Sequence, residues 1–295
     1  MIYEQIDSNK RKTYLLFFLF ILLIMALSLV FDLVFGLGYI GLTLAFVFTI
    51  IWILVGYYNG DKIVLWTSGA KPVDKRDYPH LFNTVEGLAI AAGIPKPALY
   101  IINDNAINAF ATGRDPNHAS ITVTKGAVEK LNRQELEGVV AHEMSHIKNL
   151  DIRTMMLAAV LVGVVALMSD FMLRSFLWGR RSKDRDERGN LQIVVIVIGF
   201  VLALLAPIIA NLIKLTISRK REYLADASGA LITRYPQGLA NALKKIENDH
   251  NQLSTATNAT AHLYISNPFK KKGWLVGLFS THPPIQERIK ALESM

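Results

Sequence analysis

Ala141-His142-Glu143-Met144-Ser145-His146 closes an apolar-periodic run over residues 134–149, and its His-Glu-x-x-His pattern decides how the rest of the chain is read. The periodicity predicts a helix. Residues four apart lie on one helix face, one turn above the other, so the two imidazoles can share one tetrahedral metal ion. Glu143 is carried round to the side where an open coordination position would lie. A carboxylate there can take a proton from an activated water, the division of labour of zinc peptidases. Taken alone, the same residues also read as two surface histidines on an ordinary helix.

Composition narrows the choice. The chain has 295 residues, and a positive mean hydropathy of +0.30 at this length points to a membrane protein. It has no cysteine, which excludes disulfides and thiolate zinc sites, so any metal must use His and carboxylate. The formal net charge of +8 raises the question of nucleic acid, but no recognition motif accompanies it. The basic residues lie beside apolar segments instead, and membrane topology accounts for them better.

Residues 1–12 form a short polar leader ending in Lys10, Arg11 and Lys12. Two apolar segments follow, 14–34 and 39–58, each long enough to span a bilayer, with a tight turn between them. Lys10, Arg11 and Lys12 before this hairpin, and Lys62, Lys71, Lys75 and Arg76 after it, place both flanks in the cytosol by the positive-inside rule. Residues 59–154 read as an α+β unit. They comprise a short strand at 62–67, a helix at 78–92 stopped by Gly93 and Pro95, and strand-like runs at 98–102, 107–112 and 119–124 arranged as a small meander. A brief helix at 126–131 precedes the metal helix. Two more apolar segments, 155–173 and 191–217, form a second hairpin that either crosses the bilayer or dips into it. The first begins so close to His146 that one helix can run from the metal site into the membrane, about 13 Å on. Residues 218–295 complete the chain as a helical part.

A catalytic zinc site needs a third protein ligand. Glu222 and Asp226 sit at i and i+4 after the fourth apolar segment. Spacing alone leaves two readings, a third ligand with a supporting carboxylate, or a solvated helix face. Asn108, Ala109, Phe110, Ala111 and Thr112 read either as an interior strand or as a sheet edge that takes up an extended peptide. His80, His118, His250 and His262 lack ligand spacing, and the sequon at Asn258 is idle in the cytosol.

His142 to His146 followed by Glu222-Tyr223-Leu224-Ala225-Asp226 resembles the HtpX and CaaX-prenyl-protease family of membrane zinc endopeptidases. The likeness extends to Asn108-Ala109-Phe110-Ala111-Thr112-Gly113, to Ser280-Thr281-His282-Pro283-Pro284, and to Glu287-Arg288-Ile289. The arrangement of apolar segments is similar to the HtpX branch, because CaaX-processing proteases are longer and enclose a chamber. The resemblance implies a mainly α-helical membrane protein with a small α+β gluzincin-type zinc metalloprotease domain. It implies one Zn²⁺ held by His142, His146 and Glu222, with Asp226 supporting a ligand imidazole. Glu143 is then the general base, His282 and Arg288 assist at the substrate oxyanion, and Asn108 to Thr112 bind the peptide. The expected partners are unfolded or membrane-bound polypeptides and the lipid bilayer, not nucleic acid. The expected place is the cell (inner) membrane, multi-pass, with the site facing the cytosol and serving protein quality control. The alternatives are a CaaX-type processing enzyme and a non-catalytic zinc-binding membrane scaffold.

Overall fold

The computed structural model describes residues 2–35, 38–179, 219–269 and 283–295. The segment at 191–217 and His282 lie outside the described residues.

Helix α1 covers Ile2–Phe35, and α2 covers Gly38–Thr67. The polar leader is thus the first part of α1 and not a separate segment. A stripe at helical spacing, Asn9, Thr13, Leu16, Phe20, Leu23 and Ile24, is buried along α1. Its apolar members pack with Ile53 of α2 and with Leu161, Val164 and Val165 of α6 (Asp151–Gly179). The outward faces carry Phe18, Leu22, Leu44, Ile51 and Leu54 in the open, an apolar surface suited to lipid. Among the described residues, α2 is the one helix long and apolar enough by itself to cross a membrane. The strand expected at 62–67 is instead the end of α2. Val64 and Leu65 are buried and Trp66 is 83% exposed, a helical pattern that strand alternation would not give.

Four strands form one sheet: β1 (Lys71–Pro72), β2 (Ala98–Ile102), β3 (Ala109–Gly113) and β4 (Ala119–Thr124). Their order is β1-β2-β4-β3, with β2 and β4 parallel and β3 antiparallel to β4. This corrects the meander. Strand β4 inserts between its two predecessors, which leaves β3 at an edge. One sheet face, with Leu99, Ala109, Ala111, Ile121 and Val123, joins the main core. The opposite face, with Ile102 and Phe110, packs on Tyr264, Met155, Met156, Val64 and Leu65.

The main core is closed by α3 (Pro79–Ala92), α5 (Arg133–Lys148), α7 (Arg219–Thr233), α8 (Pro236–Asn248) and α9 (Ile285–Glu293), with the short α4 (Lys125–Lys130) preceding α5. Gly93 takes the left-handed conformation that ends α3, as its position in the sequence predicts. Helix α5 starts at a capping box. Asn132 Oδ1 accepts from Glu135 N–H at 2.9 Å, while Glu135 Oε2 accepts from Asn132 N–H at 2.7 Å. Helix α5 is buried on nearly every side from Glu135 to Ile147, so it is the central helix rather than an amphipathic surface one.

The expectation of one continuous helix from the metal site into the membrane is corrected at Asn149 and Leu150. Asn149 caps α5, and Leu150 adopts φ 57°, a left-handed conformation that costs a branched residue about 1–3 kcal/mol. The chain resumes as α6 at a bend of 85°. That turn brings Asp151 back against His146.

Candidate metal centre

Three side chains converge between α5 and α7. His142 Nε2 and His146 Nε2 are 3.2 Å apart. Glu222 Oε2 lies 3.8 Å from the first and Oε1 3.6 Å from the second. The three residues are buried, and ligand atoms from each fall within 4.8 Å of one another.

Each imidazole is oriented from behind. His142 Nδ1 donates to Asp226 Oδ1 at 2.9 Å, and His146 Nδ1 donates to Asp151 Oδ2 at 3.0 Å. A proton fixed on Nδ1 leaves the Nε2 lone pair of each ring aimed inward. Two such lone pairs and a carboxylate, buried and facing one another at these distances, repel unless positive charge lies between them. The donor set of two imidazoles and a carboxylate matches a catalytic zinc site. The residues therefore fit a metal ion.

The electrostatics agree. Burial lowers the basicity of His142, whose partner Asp226 is shared with Arg288. Burial opposes charge on His146 too, but its hydrogen bond to Asp151 and the charge of Glu222 outweigh it and bring this imidazole up to about 9.

Glu143 is buried at the edge strand. Burial pushes its carboxyl up to about 7; Glu222 adds to the rise, while His146, Arg288 and the Ala111 backbone N–H oppose it. Its Oε1 has no hydrogen-bond partner among the described residues. An orphaned buried carboxylate oxygen next to a metal-ligand set is costly unless it has a task.

Strand β3 presents its backbone there. Asn108 turns towards β4, its carbonyl accepting from Thr124 N–H at 3.0 Å, so by alternation Ala109, Ala111 and Gly113 face outward. The Ala109 carbonyl already accepts from Ile265 N–H at 2.9 Å. Asn108, Ala109, Phe110, Ala111 and Thr112 are all buried, backbone included, and the Ala111 N–H donates to Glu143.

Arg288 comes from α9 into the same cluster. Its Nε and Nη2 donate to Asp226 at 2.8 and 2.7 Å, and its Nη1 donates to Ile265 O at 3.0 Å. Nη1 also lies 3.7 Å from Glu222 Oε2. The guanidinium fork is thus engaged behind the ligands, on carboxylates and a carbonyl of the protein itself. Two of the other described histidines are engaged elsewhere: His262 Nε2 donates to Met155 O at 3.0 Å, and His118 pairs with Asp115 at 2.8 Å.

Asp151 was not foreseen from the sequence. It lies five residues past His146, which on an unbroken helix points away, and only the bend after Asn149 returns it. Gly229 is a second such position. A Cβ there would stand 3.0 Å from His142 N and 3.2 Å from His142 Cα, so a bare glycine lets α7 lie directly on α5. Glu222, Asp226 and Gly229 share that face at i, i+4, i+7. We predict that Gly229→Val lifts α7, costs about 1–3 kcal/mol of stability, and weakens metal binding. Thermal unfolding with and without added metal checks this; an unchanged difference between the two forms would show that α7 spacing does not set the site.

Residues 76–295 match the profile of Peptidase family M48. Over 295 residues the chain is 48% identical to the Protease HtpX homolog of Caldanaerobacter subterraneus subsp. tengcongensis, covering all of this chain (100%) and 98% of the relative. It is 45% identical over 293 residues to the Protease HtpX homolog of Dictyoglomus thermophilum, covering 99% of this chain and 94% of the relative. Among solved structures it is similar to S. mikatae Ste24p, with a TM-score of 0.50 and 22% identity over 91% of this chain. The chain spans 61% of the length of that protein, and the likeness concerns the fold.

Proposed function

The chain belongs to peptidase family M48 and is a membrane-associated metalloprotease; from that premise we propose that it is a zinc endopeptidase acting on unfolded and membrane-bound polypeptides at the cytosolic face. The observation that carries this reading is the convergence of His142, His146 and Glu222 beside an orphaned Glu143 oxygen at the edge of the sheet. His142, His146 and Glu222 would hold the zinc, which when bound would supply Lewis acidity towards a water and a scissile carbonyl.

The remaining steps belong to the protein. In this reading the outward groups of β3 that remain, the Ala111 carbonyl and the Gly113 N–H, align an extended peptide as an added strand beside Glu143. Glu143 takes the proton of the attacking water on its free oxygen and passes it to the departing amine. Asp226 and Asp151 hold the two imidazoles in the tautomer that ligation needs. Arg288 is a positioning residue in this reading, since its contacts tie Asp226 and Glu222 together. His282 stands as the donor to the substrate oxyanion, a role that rests on its sequence context.

Topology supports the substrate class. The metal helix is followed at once by α6, which packs along the apolar α1 and α2, so polypeptides at the membrane surface reach the site directly. The basic residues flanking the first hairpin favour the cytosolic side. A scaffold zinc would not require Glu143.

Purified full-length protein in detergent is expected to carry about one zinc per chain, the number one such site holds, and to cut an unfolded test protein. A chelator should remove metal and activity together, and equimolar zinc should restore both while magnesium does not. Proteolysis that survives complete zinc removal would sink the proposal.

A further inference from the structure

Asn9 stands at the membrane-anchoring end of the molecule, yet it reaches the metal centre. It is 1% exposed. Its Nδ2 donates to Asp151 Oδ1 at 2.7 Å and to the Asn149 carbonyl at 2.8 Å, partners 142 and 140 residues away. Its Oδ1 accepts from Arg221 Nη1 at 3.2 Å, and the same Nη1 donates to Asp151 Oδ1 at 3.1 Å. Asp151 in turn holds His146 Nδ1 at 3.0 Å through its other oxygen. One carboxamide therefore grips the capping residue of α5, the carboxylate that orients a metal ligand, and the arginine next to Glu222.

We propose that Asn9 is a positioning residue for the metal centre, so that the amino-terminal helix is part of the site and not only its anchor. The proposal rests on the ligand reading given above. The chemistry of residue 9 is specific. An amide carries two N–H donors on one nitrogen, matching the two acceptors, and one carbonyl for Arg221. An aspartate would set a second carboxylate against Asp151 and lose both donations. Alanine would leave Asp151 and the left-handed turn at Leu150 free to shift, and His146 with them. Asn9 lies far upstream of residues 76–295, the part that matches the family profile. The metal centre thus spans the membrane hairpin and the peptidase region. A peptidase region cut free of α1 would lack this contact.

The test compares full-length wild type, Asn9→Ala, Asn9→Asp and Thr13→Val in detergent. Thr13 is a buried neighbour on the same helix face whose hydroxyl donates back to the Asn9 carbonyl at 3.0 Å. Zinc affinity is measured by competition with a chelator, and the site geometry by the visible absorption of the cobalt-substituted protein. Folding is followed by gel filtration and thermal unfolding. Asn9→Ala and Asn9→Asp are expected to remain folded, lose about tenfold or more in zinc affinity, and shift the cobalt spectrum. Thr13→Val should leave affinity and spectrum unchanged even where it lowers the melting temperature. Wild-type affinity and spectrum in folded Asn9→Ala would overturn the proposal. Failure of both Asn9 variants to fold would overturn it too, making Asn9 a structural strut. Absence of zinc binding by wild type would instead remove the ligand reading on which it rests.

Discussion

Glu143→Gln is expected to abolish peptide-bond cleavage while leaving the metal in place. The substitution keeps the shape of the side chain and its acceptor towards the Ala111 N–H, and removes only the ability to take a proton. Glu143 does not belong to the convergent ligand group, so binding there should be unaffected. A positioned general base contributes about 10²–10⁴-fold to turnover, and the loss in kcat should fall in that range, roughly 3–5 kcal/mol on the barrier. The buried acid–amide exchange also removes a carboxylate whose pKa burial has raised to about 7, so stability should hold or rise. Metal content and turnover on an unfolded substrate decide the matter. Zinc lost along with activity would make Glu143 a ligand. Activity retained would move the base elsewhere.

The second large effect is at Glu222. Glu222→Ala leaves two imidazoles, too few protein ligands for a catalytic site in a chain without cysteine. Metal affinity should fall by more than the 10–100-fold typical of outer partners, with turnover falling in step. The substitution also removes the carboxylate 3.7 Å from Arg288, a guanidinium with no exposed surface. Asp226 still pairs with that guanidinium at 2.7 Å, so the variant should fold. Full zinc occupancy in purified Glu222→Ala would assign the third ligand elsewhere. Asp226 is a less clean comparison. Its removal strips a buried arginine of its main partner, which typically costs 3–5 kcal/mol, so folding and metal effects would be mixed.

These two residues differ in how far they were readable beforehand. Glu143 was legible from its place between His142 and His146, because helix geometry alone fixes where it must go. Glu222 was suggested by its spacing to Asp226, and its choice as ligand over a solvated face needed the family resemblance. Arg288 carried a role from the resemblance that its contacts recast, since the sequence could not show that its fork faces Asp226. The strand at 62–67 was misread for a local reason: Lys62-Ile63-Val64-Leu65 suits a strand in composition, while burial of adjacent Val64 and Leu65 is a tertiary fact.

The sequence by itself determined the features that depend on near neighbours. The two histidines share a face because four residues make one turn, α3 ends because Gly93 accepts a left-handed backbone, and the apolar run in α2 makes a helix long enough to cross a membrane. The tertiary structure decided whatever depends on a chain reversal or a long-range contact. Strand β4 enters between β2 and β3, and Leu150 turns the chain through 85° so that Asp151 meets His146. Gly229 lets α7 lie on His142. Asn9 closes the same network across 142 residues. Such contacts leave no periodic mark in the sequence, because packing, not spacing, sets which groups meet.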